Sequence, residues 1–440
     1  MALTSQQVVQ NARDYTLFPW SVQGAVQPIH MTKAQGVWFW DGEGTKWIDF
    51  CSQIMNVNIG HQHPKVLEAI KRQVDALCYA GPTMVTEPKA ELGKRLAEVS
   101  GLAKAFYCLS GTEANESAMK IAKLVTGRSK IITRYRSYHG DTMGSMSASG
   151  DFRRWPGEPG MPGIVRVFDP YCYRCPFGGD EATCSRQCVS HIEEVILMEG
   201  PQNIAAMLAE GITGTNGLLV PPADYWPKVR ALLDKYDILL IDDEVMAGFG
   251  RTGKWFATQH YGIKPDMITF AKGVSSSLMP LGGVIVNRKI SDFMEDHMLW
   301  TGLTGAGHPV CCAAGVACMD AYVEEKVFEN VEKQGAYLAE RLEAMKAAHP
   351  CVGDVRYIGL FSMLELVRDK GTKEPLAPYG GTSPEMGIFA SYLKSKHLYT
   401  YSRFNVAFVA PPLVITAEEL KYGLDIVHEA LTEVDNALGA

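Results

Sequence analysis

Nowhere in these 440 residues does an apolar run approach the length that a bilayer crossing needs. Residues 1–10 carry no basic patch followed by an apolar stretch, so no secretory leader is expected. There is also no block of like charge: the net charge of −7 spread over 21% charged residues gives nucleic acid or an acidic membrane surface nothing to bind. Low-complexity linkers and internal repeats are missing too. Eleven cysteines without a leader fit a reducing compartment, where thiols stay free. These absences leave a cytoplasmic protein with small-molecule partners and no membrane or nucleic-acid role as the expectation. A hydrophobic fraction of 47% is ordinary for a globular chain, and the length calls for two or three units.

Short strand patterns and Gly turns, such as Gly36–Trp40, fill the stretch to about Asn58. From Pro64 onward helices and short apolar runs alternate. Pro64–Val74 spaces Val66, Leu67, Ile70 and Val74 along one helical face, and Glu113–Val125 reads as another helix. Ala105–Leu109, Lys130–Thr133, Ile204–Leu208, Ile238–Ile241 and Met267–Phe270 read as buried strands. Buried strands separated by helices predict an α/β fold: a mostly parallel central sheet with helices on both faces. After about Ala321 the pattern shifts to long amphipathic helices, including Val327–Ala347, which predicts a smaller α+β domain. The expected division is 1–63 as an N-terminal segment packing with the small domain, 64–320 as the large domain, and 321–440 as the small domain.

In an open parallel sheet, ligands gather at the carboxyl ends of the strands. The first run ends in Ser110-Gly-Thr-Glu-Ala-Asn-Glu116, a Gly turn into a helix start. Free N–H groups there suit a phosphate, although the same residues also make a plain capping turn. The Ile238–Ile241 run ends in Asp242-Asp-Glu-Val245. Carboxylates directly after four buried aliphatics need a partner, either a neighbouring turn or a cationic ring nitrogen that they keep protonated. The last run ends in Ala271-Lys272-Gly273. A lysine at a buried strand end has its pKa lowered and becomes an amine nucleophile, whereas a lone one more often snorkels to the surface. Taken together and in this order, the three are the parts that pyridoxal 5′-phosphate requires: a phosphate cup, a pyridinium partner and an amine to capture the aldehyde.

The chain resembles the class III (ω-type) aminotransferases of pyridoxal-phosphate fold type I over nearly its whole length. The motifs that carry the likeness are Asn58–His61, Ser110–Ala114, Tyr138-His-Gly140, Asp243–Gly253, Pro265–Lys272, Thr304–Pro309 and Pro411-Pro-Leu413. The resemblance implies that Lys272 holds the cofactor as a Schiff base and moves the substrate proton. It implies that Asp243 pairs with the ring nitrogen, that Val245 packs on one ring face and that Tyr138 stacks on the other. Ser110, Gly111 and Thr112 would bind phosphate, His139 would lie within the cofactor site, and Thr304 would reach the phosphate of a neighbouring subunit. A homodimer with shared sites, or a pair of such dimers, follows from that last role. Glu210 matches the strand end near the cofactor hydroxyl, although Gly211 stands where the family usually has Pro.

Substrate-side motifs are less regular. The 4-aminobutyrate and ornithine branches place a second Glu five residues after the first, and here that position is Thr215. Arg403, eight residues before Pro411, falls where the family keeps an Arg for the acceptor's α-carboxylate. Phe18–Gln23 and Ser52–His61 resemble the taurine aminotransferase branch, whose sulfonate needs charge-assisted donors. Trp20 and Arg154 are the candidates for that end, with solvated loop charges as the plainer reading of Arg153 and Arg154. The expected reaction is ping-pong transfer from a terminal amine, taurine first, to 2-oxoglutarate or pyruvate. The alternatives are β-alanine, 4-aminobutyrate or a diamine as donor, an aminomutase or a decarboxylase. A cofactor-binding regulator would require a DNA-binding segment or a lost lysine, and neither is seen.

Cys172-x2-Cys175 and Cys184-x3-Cys188 could in principle hold zinc tetrahedrally. The gap between the pairs is short, and similar loops in the resembled family have no obligatory metal. A reduced-thiol loop without metal is therefore the expectation.

Overall fold

The computed structural model describes residues 3–439. The apolar runs form a seven-stranded sheet from β1 (Lys104–Cys108), β2 (Lys130–Arg134), β3 (Ile164–Val167), β4 (Ile204–Ala209), β5 (Leu239–Asp243), β6 (Met267–Phe270) and β7 (Gly282–Val286). Across the sheet the order is β1-β7-β6-β5-β4-β2-β3. From β3 to β6 all neighbours run parallel, and β7 is antiparallel to both β1 and β6. The central strands are buried on both faces because each alternates between two apolar layers. Leu239 and Ile241 of β5 pack with Ala114, Ala118 and Ile121 of helix Gly111–Thr126. Leu240 faces the opposite way, toward Trp226, Val229 and Leu233 of helix Tyr225–Lys235.

Two smaller sheets complete the chain. Met31–Gln35, Trp38–Asp41 and Lys46–Asp49 form antiparallel neighbours, and Leu398–Tyr399 from far downstream runs parallel beside the last of them. Val352–Ile358, Phe361–Asp369, Val406–Val409 and Ser402–Arg403 make an antiparallel sheet. Helix Val327–Ala348 buries Val327, Val331, Leu338, Leu342 and Met345 along one stripe. Helix Ala417–Leu438 opens on a Thr416–Glu419 capping box. Among the described residues no helix is long and apolar enough to cross a membrane.

Three local differences from the sequence reading have physical causes. Helix Gly111–Thr126 starts two residues before the expected Glu113, because Ser110 Oγ accepts the Glu113 N–H as an N-cap. Gly36 lies in a left-handed turn (φ 60°) bridged to His61, so the strand after it begins at Trp38. β7 opens on Gly282 and Gly283, where a Cβ on Gly283 would fall 2.3 Å from the Phe106 carbonyl oxygen; paired glycines hide that strand from a propensity reading.

The most unusual backbone is Ser52–Met55, four consecutive residues at positive φ (49°, 48°, 70° and 56°). Such a left-handed turn costs L-residues roughly 1–2 kcal/mol each, so neighbours must hold it. Asp49 Oδ1 accepts the N–H groups of Cys51 and Gln53. Arg251, fully buried, donates through Nη2 to Ser52 Oγ (3.0 Å) and Asn58 Oδ1 (2.9 Å), and through Nη1 to the Leu360 and Pro411 carbonyls (3.0 and 2.6 Å). Burial lowers its pKa to about 10, against the weaker opposing influence of Tyr322 and Asp49. One guanidinium thus ties the strained turn to both ends of the chain. Arg251→Leu strands four acceptors and should cost at least ~3 kcal/mol, given about 1–3 kcal/mol for each buried group left unsatisfied. A urea midpoint within error of the parent would contradict this.

Candidate active site

Three strand ends and one loop meet above the carboxyl edge of the sheet. β5 ends in Asp243, whose Oδ2 accepts from His139 Nδ1 (2.7 Å) and Asn115 Nδ2 (2.8 Å), and whose Oδ1 accepts the Val245 N–H (3.0 Å). Asn115 Oδ1 accepts from the Thr269 hydroxyl (2.8 Å) on β6, so helix Gly111–Thr126 and strands β5 and β6 are locked together through one amide. Sequence reasoning passed over Asn115. Its position five residues after the Ser110 cap, one helical turn into the buried face, was the available signal. His139 Nε2 remains buried without a protein partner.

Lys272 follows β6 at φ 48°, an uncommon conformation for a side-chain-bearing residue, which places it off the line of the strand. Burial lowers its amine pKa to about 8, against the opposing pull of the Asp243 and Glu210 charges. Glu210, at the end of β4, accepts the N–H groups of Tyr138 (3.2 Å) and Gly214 (2.6 Å). Burial pushes its carboxyl up to about 7; the His139 charge opposes that and Asp243 adds to it. Gly211, in place of the family's Pro, donates its N–H to Asp242 Oδ1 (3.1 Å), a bond that proline cannot make. Asp242 and Glu244 lie fully buried on the far side of β5; burial and the Asp242 charge raise the Glu244 carboxyl.

The Ser110 turn is a capping turn at a helix N-terminus. The Ser110 hydroxyl is used as the helix cap, and the Gly111 and Thr112 amides form the first turn. A Cβ on Gly111 would lie 2.7 Å from Val245 Cγ1, so this turn and the residue after Asp243–Glu244 are packed against each other. Thr112 Oγ1 accepts the Asp141 N–H (3.2 Å), which binds the Tyr138–Gly140 loop to the same turn. A helix N-terminus, a carboxylate braced from two sides and an amine of lowered pKa stand together, and that donor set fits pyridoxal phosphate. Thr304 is elsewhere: it is exposed on a surface loop, its carbonyl accepting from Tyr79 Oη (3.0 Å).

At the mouth, two neighbouring arginines take different directions. Asp151 caps the short 3-10 turn Phe152–Gly157, and in a 3-10 turn successive side chains diverge by about 120°. Arg153, not Arg154, therefore reaches Tyr138, with its guanidinium 3.6 Å from the ring centroid and 5.4 Å from that of Trp20. Trp20 itself meets the Tyr138 ring edge-on at 6.2 Å. Arg154 points away, donating to the Gly150 carbonyl (3.2 Å) and pairing with Glu158. Asp151, fully buried, accepts from Arg153 Nη2 (2.6 Å) and also from Arg403 (3.4 Å). Arg403 donates further to Thr215 Oγ1 (2.9 Å) and stacks against Phe152 and Phe404. Arg403 is thus no solvated loop charge, and the neutral Thr215 contacts it where other branches place a Glu. Neither Asp151 nor Arg153 was singled out from sequence as a substrate-side group.

Cys172 and Cys175 lie at a 3-10 turn and Cys184 and Cys188 near the start of helix Gln187–Glu199, all four free. Cys184 Sγ accepts from Arg186 (2.9 Å), and among the described residues no three His, Cys, Asp or Glu side chains converge to hold a metal.

The Aminotransferase class-III family model matches residues 21–431. A leucine/methionine racemase from Thermococcus litoralis is 36% identical over 436 residues, covering 95% of this chain and 94% of the relative. A taurine–pyruvate aminotransferase from Bilophila wadsworthia is 34% identical over 440 residues, 94% of each chain. Among solved structures, the taurine:2-oxoglutarate aminotransferase from Bifidobacterium kashiwanohense, in complex with pyridoxal phosphate and glutamate, superposes with a TM-score of 0.97 at 42% identity, covering 100% of both chains.

With a Lys272 pKa of about 8, only the neutral amine attacks an aldehyde, and its fraction rises with pH. Uptake of pyridoxal phosphate by cofactor-free protein should accelerate about tenfold per pH unit up to 8 and level off above it. A rate still climbing at pH 10 would show an amine with its ordinary pKa.

Proposed function

We propose, for a chain that belongs to the class III aminotransferases and is a pyridoxal-phosphate-dependent transaminase, that its donor is taurine and its acceptor a 2-oxo acid. The observation that carries the donor assignment is the pair of guanidiniums, Arg153 and Arg403, gathered on the single carboxylate of Asp151 beside Tyr138. Two largely buried cations against one anion leave a positive charge unmatched, and a sulfonate supplies the missing negative charge with several acceptor oxygens. The acceptor's α-carboxylate carries the same charge, so one clamp serves both halves of the reaction.

Bound pyridoxal phosphate supplies the electron sink that lets the amine-bearing carbon lose a proton. Lys272 Nζ, with its lowered pKa, takes that proton and returns it on the other side of the transfer. Asp243, braced by His139 and Asn115, would keep a proton on the ring nitrogen. The amides of Gly111 and Thr112 would hold the phosphate, and Val245 and Tyr138 would border the ring. Over two halves, amine plus 2-oxo acid gives aldehyde plus amino acid. The exposed Met84, Val85, Met298 and Trp300, near the Thr304 loop in sequence or across the Tyr79 contact, support a homodimer in which Thr304 serves the partner's phosphate.

Mixing the holoenzyme separately with taurine, β-alanine, 4-aminobutyrate and putrescine should bleach its visible absorbance fastest with taurine. Silence with taurine and a clear response to another amine would overturn the donor. Arg153→Leu and Arg403→Leu should each lower kcat/KM for taurine about tenfold to a hundredfold, the worth of one charge-assisted hydrogen bond. Unchanged kinetics in both would remove the clamp from the account.

A further inference from the structure

Behind Arg153 opens a cavity of about 350 Å3 walled by Trp20, Arg153, Arg154 and Arg166, with Asp141 and Glu158 also on its lining. Arg153 is common to both compartments, since its guanidinium covers Tyr138 on one side and lines this cavity on the other. Arg166, on β3, donates from Nη2 to the carbonyls of Ser147 and Ser149, and its Nε is buried without a partner. Among the described residues no carboxylate pairs with it. Burial and the like charge of Arg154 both lower its pKa, so an anion between the two would relieve an existing strain. The two acids do not fill that role. Asp141 is exposed to solvent, and Glu158 reaches only Arg154, from a half-exposed position where ion pairs are weak.

We propose that this cavity takes the distal carboxylate of a dicarboxylic 2-oxo acid, with Arg166 and Arg154 as its ligands. The assignment rests on the reading above, in which a 2-oxo acid is the acceptor and its α-carboxylate engages the Arg153–Arg403 clamp. Because Arg153 borders both the clamp and the cavity, the second carboxylate of such an acceptor would be received here, and a monocarboxylic acceptor such as pyruvate leaves it empty. The cavity therefore sets acceptor chain length and charge, while the clamp accepts any anionic end group.

The test compares kcat/KM for 2-oxoglutarate and for pyruvate with one donor, in the parent enzyme and two variants. Arg166→Gln should lower the 2-oxoglutarate value at least tenfold, mainly through KM, with pyruvate changed less than twofold. Arg154→Gln should shift the ratio in the same direction, and it keeps the proposal testable should the Arg166 variant not fold. Equal losses for both acceptors, or an unaltered ratio in both variants, would overturn the cavity assignment, as would a parent that uses pyruvate alone. No turnover of the parent with either acid would instead sink the acceptor reading on which the proposal rests.

Discussion

A carboxylate at the end of a buried strand is the constraint around which this site is built. Removing Asp243 from water costs several kcal/mol unless its oxygens are met, and they are met by groups from three separate segments. His139 brings the Tyr138–Gly140 loop, Asn115 brings the helix that starts at the phosphate turn, and the Val245 amide fixes the turn after β5. Because Asn115 also accepts from Thr269, satisfying one charge sets the spacing of β5, β6 and that helix. Lys272 leaves β6 three residues later, so its amine is placed by the same network.

Neighbouring charges follow the same logic at lower density. Glu210 is held near neutrality, its oxygens occupied by two amides, and it adds to the pull on the Lys272 proton. Burial and the Asp242 charge favour the protonated form of Glu244, which spares the strand a further uncompensated anion near Asp243. Toward the mouth the balance reverses: Arg153 and Arg403 outnumber Asp151, and among the described residues no acid pairs with Arg166. Net charge thus changes from acidic around Asp243 to basic beside Tyr138, which favours an anionic group at that end.

Much of this was legible in the sequence, for identifiable reasons. Strand ends could be read because four-residue apolar runs are long enough to mark buried strands, and Asp243 and Lys272 each stand two positions after one of them. Harder to see were groups whose meaning depends on contacts distant in sequence. Asp151 meets Arg403 across 252 residues, and Arg251 reaches Pro411 across 160. The choice between Arg153 and Arg154 turned on the pitch of a 3-10 turn, which no periodicity in a short Pro-containing loop discloses. The Ser52–Met55 turn was invisible for a related reason: nothing in those side chains favours positive φ, and the conformation is imposed by Asp49 and Arg251 from outside.

All of these placements converge on one covalent bond that the proposed function requires. Reducing the pyridoxal-phosphate-loaded protein with borohydride makes the cofactor's attachment permanent, and peptide mass mapping then reports which lysine carries it. The account predicts the cofactor mass on Lys272 alone; finding it on any other lysine, with Lys272 unmodified, would contradict the site around Asp243.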